Sequence, residues 1–65
     1  MKKALLDALE KKYEAEIAAA KANIQVYMDN PAGIGEHPDL VSAVDSEMAK
    51  LAEAEDKLET LMDNF

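Results

Sequence analysis

Apolar residues recur in steps of three and four along the first part of the chain: Leu6, Leu9, Tyr13, Ile17, Ala20, Ile24 and then Tyr27 or Met28. That spacing follows the helical period and puts them on one face. The residues between them are mostly Ala, Leu, Lys and Glu, which are strong helix formers. The pattern predicts a helix over about residues 2–28, with Asp7 and Lys11 as a favourable i,i+4 pair. Ala18-Ala19-Ala20, with Ala15 and Ala22, makes part of this helix slim enough for another helix to approach closely.

A second helical pattern covers about residues 38–63. Val41, Val44, Met48, Leu51, Leu58, Met62 and Phe65 follow heptad a/d spacing, interrupted by Glu55. Leu40, Val44, Leu51, Ala54, Leu58, Leu61 and Phe65 form an overlapping stripe, and Met48, Leu51 and Leu58 are expected where the two stripes meet. The combined apolar face is wider than one partner helix requires. It suits a bundle in which each helix touches two neighbours. Asp45, Glu53, Asp56 and Glu59 on the far side are expected to face solvent.

Residues 29–37 read as a structured loop. Pro31 stops the first helix, because a residue preceding proline is pushed out of the α region. Gly33 and Gly35 permit close backbone approach, and Ile34 between them is expected to cover the open end of a bundle. Pro38 suits the first turn of the second helix, with Asp39 complementing its dipole. The expected fold is all-α: a two-helix antiparallel hairpin, one domain over residues 1–65, assembling into a homo-oligomeric bundle of at least two copies.

Length makes that assembly matter. A chain of 65 residues buries only about 60% of the surface it exposes when unfolded. Small domains compensate with disulfides, a structural metal or oligomerisation. With no cysteine and a single histidine, the first two are not expected, and oligomerisation remains.

Charge narrows the partners. The formal net charge of −7 is unevenly placed. Residues 1–28 hold five lysines and four acids, whereas residues 29–65 hold two lysines and ten acids. An acidic chain without arginine repels phosphate backbones, so nucleic acid is not an expected partner. A basic protein surface suits the acidity, as does solubility alone. Neither an apolar leader nor a span of about 20 apolar residues is visible, so the expected location is the cytoplasm, with no membrane partner.

Catalytic chemistry finds little support. Ser42, Ser46 and Thr60 have no histidine at helical spacing, and His37 lies in the loop. No Glu-x-x-His pair is present for a di-iron bundle, and the acids Glu55, Asp56, Glu59 and Asp63 read as a solvated face. The chain is expected not to be an enzyme and to take no cofactor or metal. A weaker reading concerns the loop, where Gly33-Ile34-Gly35 runs into a helix start. If two hairpins pack antiparallel, Lys2 and Lys3 of one copy approach that loop in the other. Lys2, Lys3, Tyr27, Gly33, Ile34, Gly35 and His37 are then the candidate residues for a nucleotide-like anion, with Tyr27 or Phe65 offering a ring for a base. The competing reading is that the loop only caps the bundle.

The stretch Ile24-Gln25-Val26-Tyr27-Met28-Asp29-Asn30-Pro31-Ala32-Gly33-Ile34-Gly35-Glu36-His37-Pro38-Asp39-Leu40-Val41, with Ala52-Glu53-Ala54-Glu55-Asp56-Lys57-Leu58 later, resembles very small helical-hairpin proteins of tailed bacteriophages, notably marine ones. The resemblance covers most of the chain, and its distinctive part is Asn-Pro-x-Gly-Ile-Gly-Glu-His-Pro. It implies a virus-encoded accessory protein acting in the host bacterial cytoplasm, and it carries no catalytic residues. Three functions fit that setting: masking of a host or phage protein, an oligomeric sponge for a nucleotide immune signal, and a virion or assembly component.

Overall fold

The structure, a computed structural model, describes residues 2–29 and 39–65. It holds two helices, α1 (Lys2–Asp29) and α2 (Leu40–Asn64), which pack along each other. Asn23 meets Glu47 near one end, and Lys2, Lys3 and Leu6 lie beside Leu61, Met62 and Phe65 at the other. The helices therefore run antiparallel, and each residue of α1 has a level partner on α2. The Cα trace spans 47 × 15 × 14 Å, which is the length of one long helix and the thickness of two.

Asp39 stands before α2 as its N-cap, outside the first turn where the sequence pattern put it. Ser42 N donates to Asp39 Oδ1 at 3.0 Å and Ser42 Oγ to Oδ2 at 2.7 Å. The side chain thus satisfies a backbone donor that a helix start leaves orphaned. These bonds, the backbone one foremost, hold the Asp39 carboxyl below its usual value. At the far end Phe65 N bonds back to Leu61 O at 3.1 Å. The expected Asp7–Lys11 pair does not form, and Lys12 pairs with Glu16 at 3.0 Å instead. Exposed i,i+4 pairs contribute so little that rotamer freedom decides between them.

The overlapping stripe, rather than the a/d stripe, faces α1. Ala20 on α1 and Ala54 and Leu61 on α2 are buried, with Leu6, Tyr13, Ile17, Ile24, Leu40, Val44, Leu51 and Leu58 half-buried around them. Two alanines in the seam bring the backbones close, as the slim middle of α1 suggested. Met48 departs from expectation. It is 46% exposed, since the seven-residue row Val41, Met48, Glu55, Met62 is turned about a quarter-circle away from α1. Among the described residues no helix is long and apolar enough to cross a membrane.

Candidate functional site

The two long faces of the hairpin differ in chemistry. One has a satisfied polar cluster at its middle, with Val26 and Leu9 exposed beside it. Glu16, Asn23, Glu47, Lys50, Glu53 and Lys57 line an open groove of about 250 Å³ there. Lys50 Nζ lies 2.8 Å from Glu47 Oε2 and Lys57 Nζ 2.9 Å from Glu53 Oε1. Asn23 Nδ2 donates to Glu47 Oε1, tying α1 to α2. Glu47 is buried in the row Leu40, Glu47, Ala54, Leu61, an acid at a position the sequence pattern passed over. Its place in that row, seven residues from Leu40 and from Ala54, was the available signal.

Lys50 first and Asn23 second hold the Glu47 carboxyl below its ordinary value of 4.5. Burial pushes the other way but less, because a two-helix layer leaves water close by. A depressed carboxyl contributes stability above its ordinary value, and that contribution is lost as pH falls through the folded value. Lys50, raised above 10.5 by Glu47, contributes below 10.5 and loses its part as pH climbs through its own folded value. Glu47→Gln is therefore expected to melt below the wild type from about pH 5 to about pH 9, with the gap closing in acid below about pH 4. Circular dichroism melts across that range check this. A gap that stays constant to low pH would assign the role of Glu47 to packing instead of charge.

The other long face carries an exposed apolar row on α2 beside charged residues of α1. Met28, Leu40, Val41, Val44 and Met48, with Asp45, line a hollow of about 440 Å³ toward one end. Leu6, Leu61, Met62 and Phe65, with Lys2 and Lys3, line one of about 410 Å³ at the other. Val41, Met48 and Met62 share one line along α2, so both hollows belong to the same seam. Val41 is 80% exposed, Phe65 78% and Met28 68%.

Of the residues expected to hold an anion, Lys2 and Lys3 are exposed at the start of α1 beside Phe65, so a ring and two ammonium groups do come together. Asp7 and Glu10 line the same hollow and oppose an anion there. Tyr27 is half-buried beside Asn23, Val26, Glu47 and Lys50, roughly 36 Å along α1 from Lys3. Within one chain the lysines and Tyr27 are not brought together. Gly33, Ile34, Gly35 and His37 lie outside the described residues. Among the described residues no group of three or more acids or histidines is placed to hold a metal ion. Comparison with protein-family models, curated proteins and solved structures gives no match.

Proposed function

We propose that this chain is a non-catalytic binding protein that works as a homo-oligomeric helical bundle and masks a protein partner through the acidic outer side of α2. The observation that carries this reading is the second seam on α2. One seam packs on α1, while Val41, Met48, Met62 and Phe65 of the other remain exposed. A face of 47 by 15 Å offers on the order of 700 Å², close to the roughly 800 Å² per partner of a stable interface. Once that face is covered by another copy, the side of α2 left outward carries Asp56 and Asp63, both exposed. A basic surface fits such a strip, and charge would steer the encounter. The resemblance to small phage proteins supports a host or phage protein as the target and the host bacterial cytoplasm as the setting. The nucleotide reading is less well supported, because acids stand among the lysines it would use.

The test uses the full chain immobilised in a bacterial lysate, followed by kinetics with whatever is captured. Association is expected to slow at least about tenfold between about 50 and 500 mM salt. The double variant Asp56→Asn/Asp63→Asn should lose the capture while keeping the helix content and mass of the parent. Salt-independent association, or capture that survives the double variant, would overturn the acidic-surface reading.

A further inference from the structure

The apolar face has a definite fit to a second copy of itself. We infer that two hairpins pack face to face and antiparallel, α1 over α1 and α2 over α2, about a two-fold axis crossing α2 near Leu51 and Ala52. This rests on the assembly reading above and specifies the arrangement.

The inference comes from register. On α2, the midpoint of Val41 and Met62 falls between residues 51 and 52, and that of Val44 and Leu58 falls at Leu51. A two-fold axis there sets Val41 against Met62, Val44 against Leu58, Met48 against Glu55, and the two Leu51 side chains together. Apolar positions thus meet their own kind at three of these four levels. On α1, the residues turned toward the same face include Asp7, Glu14, Ala18 and Lys21. The midpoint of Glu14 and Lys21 falls between Ile17 and Ala18. The Asn23–Glu47 contact fixes the hairpin register, and it places Ala18 level with Ala52. The two midpoints therefore fall within about one to two residues of each other, or roughly 1.5–3 Å.

Charge then distinguishes this arrangement from its alternative. In the antiparallel pair, Lys21 of one copy comes level with both Glu14 and Glu55 of the other. Glu55 is the acid that interrupts the α2 seam, so this cation answers an otherwise unfavourable group. In a parallel pair, with α1 over α2, Glu14 and Glu55 of both copies converge and Lys21 lies about two turns away. Four carboxylates meeting at one level disfavour that pairing. The exposed alanines Ala18 and Ala52 sit at the crossing and allow close approach.

Because the chain has no cysteine, single introduced cysteines report the geometry cleanly. Ala18→Cys and Ala52→Cys are each expected to form a disulfide-linked dimer under mild oxidation. An equimolar mixture should give negligible 18-to-52 linkage when the linked chains are peptide-mapped. Predominant 18-to-52 linkage would establish the parallel arrangement and overturn this one. An oligomeric mass by light scattering with no linkage of any kind would also overturn it, since the interface would lie elsewhere. A monomeric mass for the unsubstituted chain would instead sink the assembly reading itself. Charge provides a second measurement: Lys21→Glu should weaken dimerisation roughly tenfold, and Glu14→Lys combined with Lys21→Glu should recover most of it. No weakening by the single reversal, or no recovery by the double, would count against the antiparallel register.

Discussion

Val41→Asp combined with Met48→Asp is expected to reduce the protein to a monomer, raising the dissociation constant of the assembly at least about a thousandfold. Fully burying a valine or methionine contributes roughly 1.5–3 kcal/mol each, and a symmetric dimer contains every position twice. Carboxylates at those positions would add desolvation and repulsion to the lost contacts. Roughly 4 kcal/mol already corresponds to about a thousandfold. Light scattering should show the mass falling to that of the 7.1 kDa chain. Both side chains point away from α1, so the substitutions remove little from the hairpin seam itself. An unchanged mass would show that the exposed seam is not the interface. The monomeric variant should nevertheless melt earlier than the parent, because a two-helix layer has little interior of its own.

This expectation turns on a distinction that periodicity alone leaves open. The helices themselves were legible, since Ala, Leu, Lys and Glu at helical spacing favour one local structure, and the described ends fall within two residues of the expected ones. Both α2 stripes were legible too. Which of them packs on α1 was not, because each satisfies the helical period and they share Val44, Leu51 and Leu58. Packing decided it: Ala54 and Leu61 fit against the side of α1 that carries Ala20, and the row containing Met48 was left outside. The Glu47 cluster is not legible in the sequence for a related reason. An acid in an apolar row reads as an interruption until a partner such as Asn23, twenty-four residues earlier, is known to face it. The candidate anion site had a further difficulty, as its residues were gathered from both ends of a long rod. Lys2 and Lys3 meet Phe65, Tyr27 sits far along α1, and the Gly33–His37 portion falls outside the described residues.

Leu61→Ala is expected to cost the hairpin roughly 2–3 kcal/mol, the largest loss from any single truncation in its own seam. Leu61 is the bulkiest of the buried apolar residues among those described, at 9% exposure, with Ala20 and Ala54 the others. It closes the end where α1 begins, against Leu6 and beside Phe65, whose backbone N–H bonds to the Leu61 carbonyl. Truncation would leave a gap that the neighbouring seam cannot fill, because Ala54 one heptad away carries only a methyl group. The estimate stays at the lower end of the range for buried leucines because a layer two helices thick can settle around the loss. Leu51→Ala makes the informative comparison. Leu51 is half-buried within one hairpin and meets its own copy across the inferred two-fold axis. Its cost should therefore grow with protein concentration, while that of Leu61→Ala should be nearly the same in the monomeric Val41→Asp/Met48→Asp background as in the parent. Thermal melts at two concentrations, read by circular dichroism, separate the two. Equal, concentration-independent losses for both leucines would mean that the hairpin stands alone and that Leu51 contributes through α1 only.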